Sequence, residues 1–226
     1  WMKSVTAEPT HSEPTHCVVV DVASVWSSPE APRAIDAPAL HDHPDSSSWL
    51  AAMDEADAQG DHENGREGLD RRHETQLVRG EPVIAGRTSA DGAWTLVHCV
   101  SQPSAKDTSG YPGWVRTAHL AGIASAPTEH LMDSDVDQDA PNEDVHPLIE
   151  FARQHLGLRY LWGGLSAYGY DCSGVVHHGW RDLGVTVPRD AHDQFLAAAA
   201  IPLGEEEPGD LYFFVGTDGM ARDAGA

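Results

Sequence analysis

The sequence predicts an α+β chain in which a small all-β barrel is followed by a mainly helical unit that ends on a strand. Three observations predict it. Short β-rich runs broken by Gly and Asp turns occupy residues 75–115. An acidic, Pro-bearing stretch without Lys or Arg separates the halves at 121–145. Beyond it the apolar spacing turns helical.

The elements follow in order. Residues 1–16 are polar, carry Pro9 and Pro14, and are expected to be a disordered tail. Cys17 to Trp26 reads as one strand, and residues 27–44, rich in Pro and Ala, as a loop. Ser46, Ser47 and Ser48 offer an N-cap to a short helix near 46–58, with Trp49, Leu50 and Met53 on one face. Residues 59–73 are charged and read as a long loop. Gln76 to Ala85 holds two strands broken at Gly80, Ser89 to Gly92 is a turn, and Trp94–Val100 and Tyr111–Val115 are further strands.

In the second half, Asp144 is placed to cap a helix with Pro147 in its first turn. Leu148, Ile149, Ala152 and Leu156 share a face of it, and Gly157 ends it. A Gly/Tyr loop covers 158–170. A second helix runs from Cys172 to Leu183, with Val175, Val176, Trp180 and Leu183 as its buried stripe and Gly184 at its end. Residues 190–200 form a third helix. Asp210 to Val215 reads as a buried strand central to a sheet.

Composition bounds the function. Fourteen Lys and Arg against 36 Asp and Glu give a net charge of −22, which repels phosphate backbones and excludes nucleic acid as a partner. No apolar run approaches the roughly 20 residues of a membrane span. No secretory leader is visible, so the cytoplasm is the default location, and the cell wall the alternative if a leader preceded Trp1. Three cysteines without a CxxC pair predict neither a disulfide framework nor a zinc site. Cys17 and Cys99, in strand-like runs, are expected in the core. His41, Asp42, His43 and Asp45 read as an acidic loop in preference to a metal site. Trp26, Trp94, Tyr111 and Trp114 are core aromatics or, alternatively, a ligand groove. No cofactor is expected, and the chain is expected to be a monomer.

Cys172 stands in a different setting. Asp171 precedes an amphipathic stripe and suits its N-cap, which puts Cys172 in the first turn. The unpaired N–H groups and dipole there favour the thiolate, the form that attacks carbonyls. Gly174 leaves room for a substrate, and Gly163, Gly164 and Gly169 let the preceding loop pass close by. By spacing alone, an inert buried cysteine at a helix start remains the alternative.

Asp21-Val-Ala-Ser-Val-Trp26, Glu74-Thr-Gln-Leu-Val-Arg-Gly-Glu81, Gly92-Ala-Trp94 and Gly110-Tyr-Pro-Gly-Trp-Val115 resemble a bacterial SH3 domain over residues 17–120, with the helix near 46–58 as an insertion. Leu156-Gly-Leu-Arg-Tyr-Leu-Trp-Gly-Gly164, Asp171-Cys-Ser-Gly174, Pro188-Arg-Asp190 and Pro208-Gly-Asp-Leu-Tyr-Phe-Phe214 resemble, in order and spacing, the NlpC/P60 family of papain-like cysteine peptidases. That resemblance implies a domain over 146–226 that cuts the γ-D-glutamyl–diamino acid bond of peptidoglycan stem peptides or muropeptides. It implies Cys172 as nucleophile, Asp171 as reader of a free N-terminal L-Ala, Ser173 as a contact to the glutamate, and Tyr160 lining the site and aiding the oxyanion. The family continues after the Phe-Phe strand with a segment beginning His-Val-Gly or similar, whose His is the base. That segment is not in this sequence, so the resemblance implies an incomplete domain, short by about 40 residues. An inactive peptidoglycan-binding remnant, or an amidase or acyltransferase using the same thiol, are the alternatives. His177 and His178 lie too far along the helix from Cys172 to replace the base, His192 is the one stand-in, and His155 reads as a surface residue. With no following strand, the C-terminal half is expected to keep an open edge.

Overall fold

A computed structural model describes residues 13–123 and 145–214. Most of the expected tail, most of the acidic linker, Asp144, and everything after Phe214 lie outside the described residues. The first half is a seven-stranded antiparallel sheet, ordered β3-β2-β6-β5-β4-β1-β7. Its strands are β1 (His16–Val18), β2 (Val22–Trp26), β3 (His73–Val78), β4 (Pro82–Thr88), β5 (Trp94–Cys99), β6 (Tyr111–Arg116) and β7 (Leu120–Gly122).

The single strand expected from Cys17 to Trp26 is two. β1 pairs with β4 and β7, whereas β2 pairs with β3 and β6. The chain leaves one ladder and joins another, so the apolar run is continuous while the hydrogen bonding is not. Gly80, with φ +84°, turns β3 back towards β4. Val25, Leu77, Val97 and Val115 pack in the core of this sheet with Cys99. Burial pushes the Cys99 thiol well above its ordinary pKa, with the nearby Glu81 charge adding to it, which leaves an inert sulfur. Cys17 is only half-buried.

Helix α1 (Ser46–Ala58) lies over one end of the sheet. Its cap is Asp45, whose carboxylate accepts from Ser48 N at 2.9 Å, one residue before the expected serines. Trp49 and Met53 bury beside Trp26, Leu69 and Trp94 in a second core. The expected loops around α1 are partly structured. Ala34–Leu40 forms a 3-10 helix whose buried Asp36 accepts from the Trp49 indole at 2.8 Å and pairs with Arg33. Glu67–Leu69 forms another short 3-10 turn. Trp26 and Trp94 are core residues and Trp114 is half-buried, whereas Tyr111, itself buried, also lines a cavity between the two halves, so the four do not form one groove.

The second half comprises α2 (Pro147–Gln154), the two-residue strands β8 (Leu165–Ser166) and β9 (Gly169–Tyr170), α3 (Cys172–Asp182) and α4 (Ala191–Ala197). His146 caps α2, accepting from Leu148 N, in the place expected for Asp144. Leu148 is buried, but Leu156 lies beyond the helix and is 81% exposed. The inward face of α3 also differs from expectation: it is Ser173, Gly174, His177 and Gly179, while Val175, Val176 and Trp180 are half-buried and Leu183 is exposed. Gly179 explains the rotation. A Cβ there would lie 2.5 Å from Leu148 Cδ1, so α2 and α3 meet where the side chain is missing. Residues 211–214 form no strand, and Tyr212 and Phe214 are exposed. Among the described residues no strand lies beside them to supply a ladder.

The two halves share a polar seam. Gln76 Oε1 accepts from Leu165 N at 3.0 Å and from the Ser166 hydroxyl at 2.8 Å. Arg66 donates to the Tyr160 carbonyl at 3.1 Å, and Arg181 pairs with Glu81. His73 Nδ1 donates to the Trp162 carbonyl at 2.7 Å. Leu161, from the second half, is buried in the core around Trp26 and Trp49.

Candidate active site

Asp171 has extended backbone dihedrals and accepts from Gly174 N at 2.6 Å, so it is the N-cap of α3 as its sequence context predicted. Cys172 is therefore the first helical residue, and it is half-buried. The approach of the preceding loop depends on glycine. A Cβ on Gly174 would stand 2.3 Å from the Gly164 carbonyl, and one on Gly164 would stand 2.4 Å from the Gly169 carbonyl.

The cap is held by Arg189, which the sequence marks only as the middle of the Pro188-Arg-Asp190 block, with no role assigned to it. Arg189, 1% exposed, donates to Asp171 Oδ1 at 3.0 Å and Oδ2 at 2.8 Å. The same guanidinium donates to the Ser173 hydroxyl at 3.0 Å and to Thr75 Oγ1 at 2.9 Å, on β3. Burial opposes its charge, but the Asp171 carboxylate more than offsets that and holds the Arg189 pKa above its ordinary value. Asp171 also accepts from Gly163 N at 2.9 Å. Its two oxygens are thus largely committed to the protein itself.

Asp171 and Ser173 open onto a cavity of about 320 Å³ between the two halves. Glu74, Lys106 and Tyr111 line it from the sheet side, and Trp162, Asp190 and His192 from the other. Neither Cys172 nor Tyr160 is among its lining residues. The Tyr160 side chain is 48% exposed. The Tyr111 hydroxyl donates to Glu74 Oε2 at 3.0 Å. Burial, then the Asp190 and Glu74 charges, raise the Tyr111 pKa, so the phenol keeps its proton. Burial also raises the Asp190 carboxyl, against the pull of Lys106.

The histidines sort clearly. His177 is buried, donates through Nδ1 to the Val187 carbonyl at 2.8 Å, and is pushed down to about 4 by burial. His178 exchanges a hydrogen bond with the Tyr170 hydroxyl at 2.8 Å and is pushed down to about 3 by burial and by Arg181. His155, expected at the surface, is half-buried and packs on Phe151 and Tyr170. His192 is the histidine that reaches the cavity, and its buried Nδ1 has no hydrogen-bond partner among the described residues.

Glu74, Lys106 and Tyr111 were not singled out as a cluster, because they come from β3, a loop and β6 and no local period joins them. The signals available were the Glu74–Glu81 and Gly110–Val115 blocks of the SH3-like resemblance and Tyr111 as a core or groove aromatic, none of which joins the three residues.

Comparison with known proteins shows what the chain is similar to. The family model described as NlpC/P60 family matches residues 157–225. Gamma-D-glutamyl-L-lysine dipeptidyl-peptidase of Bacillus subtilis is 31% identical across 90% of this chain and 83% of its own length. The peptidoglycan endopeptidase RipB of Mycobacterium tuberculosis is 34% identical across 31% of this chain and 34% of its own. The crystal structure of an NlpC/P60 family protein from Bacillus cereus superposes with a TM-score of 0.76 at 22% identity, covering 92% of this chain and 86% of that one, which relates the folds.

Proposed function

The chain belongs to the NlpC/P60 family, and on that premise we propose that it hydrolyses the γ-D-glutamyl–diamino acid bond of peptidoglycan stem peptides from their free N-terminal end. As a family member it is a peptidase of cell-wall peptides. The observation that carries the finer reading is the continuity of the α3 start with an acidic cavity: Asp171, Cys172 and Ser173 are consecutive, and the residues on either side of Cys172 open towards Glu74 and Asp190.

Cys172 is the nucleophile in this reading. The first turn of α3 offers N–H groups and the positive end of the helix dipole to an anionic sulfur. Attack on the glutamyl carbonyl would form a thioester and release the diamino acid, and water would then release the dipeptide. Ser173, held by Arg189, would contact the glutamate part, and Tyr160 would flank the reacting carbonyl. The cavity receives the L-Ala ammonium. Asp171 contributes field from its wall, while Glu74 and Asp190, less committed to backbone partners, make the closer contacts. The sheet half, which supplies Glu74 and Tyr111, serves as a bacterial SH3-like module turned to substrate selection.

The test is product analysis with L-Ala-γ-D-Glu-L-Lys and its diaminopimelate counterpart. Release of L-Ala-γ-D-Glu is expected, with loss of at least about 1000-fold on Cys172→Ala at unchanged melting temperature. Binding of both peptides without any turnover by the native chain would instead establish a wall-peptide binder.

A further inference from the structure

Lys106 is accounted for neither by the fold nor by the peptidase chemistry. Its side chain is 43% exposed, yet its ammonium is placed. It donates to Glu74 Oε2 at 2.6 Å and to the Tyr111 hydroxyl, and it stands 3.6 Å from Asp190 Oδ2. It also lies 4.1 Å from the centre of the Tyr111 ring. Two carboxylates and an aromatic face converging on one point make a site for a cation. The chain's own lysine fills it, inside the cavity that opens beside Cys172.

We propose that Lys106 is a specificity-determining residue: a tethered ammonium that holds the cationic subsite, is displaced by a stem peptide with a free N-terminal amine, and stays in place beneath an N-acylated one. This rests on the amine-binding reading of the cavity. Two ammonium groups a few ångströms apart repel strongly once water is excluded, so the substrate amine and Lys106 cannot share Glu74. A lysine suits the role because its ammonium is a single point charge on a flexible stem, which can swing to solvent, whereas an arginine fork would grip both carboxylates.

The consequence is differential. Under a blocked, uncharged terminus, Lys106 keeps Glu74 and Asp190 paired. Without Lys106, the same ligand would cover unpaired carboxylates. A free amine gains from its removal, since nothing then competes for the site. Lys106 therefore narrows the gap between free and blocked stems and widens the range of wall fragments the cavity accepts.

Binding of L-Ala-γ-D-Glu and of its N-acetyl form to the full chain, by calorimetry, tests this. Lys106→Met is expected to raise the Kd ratio of blocked to free dipeptide about tenfold, the free form tightening and the blocked form weakening. Arg71→Met is the control. Arg71 lines the same cavity but is 91% exposed, with its nearest charge partner Asp70, and its loss is expected to move the ratio by less than about twofold. An equal rise in both variants would show a general effect of charge and overturn occupancy by Lys106. An unchanged ratio in Lys106→Met, with the native chain still preferring the free amine, would overturn it as well. Equal binding of both dipeptides by the native chain and by Lys106→Met alike would sink the amine-binding reading itself, and the role of Lys106 with it.

Discussion

Val25, Leu77, Val97 and Val115 of the sheet are all fully enclosed hydrocarbon, whereas the face that α3 turns inward is Ser173, Gly174, His177 and Gly179. One region is held by removing apolar surface from water, at about 25 cal/mol per Å². The other has one fully buried apolar anchor in the neighbouring core, Leu161, and otherwise takes its position from directional bonds: Gln76 to Leu165 and Ser166, Arg189 to Thr75, and Arg181 to Glu81. Apolar burial tolerates small shifts. A satisfied polar network fixes atoms to tenths of an ångström and fails as a unit when one member is lost. The site sits on the second kind of support, so its geometry is conditional on the sheet.

The comparison breaks hardest at Arg189. Arg189→Met leaves Asp171 without its counter-ion, and breaking one side of a buried pair costs about 3–5 kcal/mol. Urea unfolding is expected to show that loss, with limited proteolysis cutting within 145–214 before the sheet. Cleavage of both halves together would mean that they form one cooperative unit.

A smaller effect comes from pH. His73 is buried against Trp26 and Trp49, and burial pushes it down to about 4. Its folded pKa lies below the unfolded value of 6.5, so the unfolded chain binds the extra proton between those two pH values. The share of stability that His73 contributes is therefore full above about 6.5, falls by about 1.4 kcal/mol per pH unit towards 4, and levels off below, in addition to the shares of His177 and His178, which are lowered in the same sense. Urea midpoints at pH 7, 5.5 and 4 measure it. His73→Gln should remove one proton's worth of that slope, alongside a constant packing loss. A slope identical to that of the native chain would remove His73 from the seam's acid response.

The smallest effect is expected at Arg159, half-exposed and paired with Asp54 and Asp57 across the same seam. Screening by solvent limits such pairs to less than about 1 kcal/mol, so Arg159→Ala should barely shift the melting temperature. A loss comparable with that of Arg189→Met would show that the outer bonds of the seam matter as much as its buried centre.

Much of this was legible along the chain. Asp171 as a cap, Cys172 in the first turn, the α1 face of Trp49, Leu50 and Met53, and the turn at Gly80 all follow from local chemistry. Where the sequence misled, a distant partner decided the outcome. The α3 stripe was drawn by apolarity, but Gly179 admits α2 and the polar seam takes Ser173 and His177. The apolar run at 211–214 reads as a central strand, yet a strand is defined by its neighbours, and none lies beside it among the described residues. Arg189 stands in the Pro188-Arg-Asp190 block that carries the resemblance, but nothing in the block says what it binds. Only the fold brings it to Thr75, 114 residues earlier.

The cavity is assembled from several separate stretches of chain. Lys106 belongs to the connection between β5 and β6, which carries a single isolated bridge, Ser104 to Asp107, and no ladder of its own. The reactive helix start is built elsewhere. Selectivity and reactivity can accordingly drift apart only in part: Lys106 itself is half-exposed and open to exchange, whereas Gln102 and Pro103 of the same connection hold Thr75 and the Arg189 backbone, and so are tied to the support of the cap.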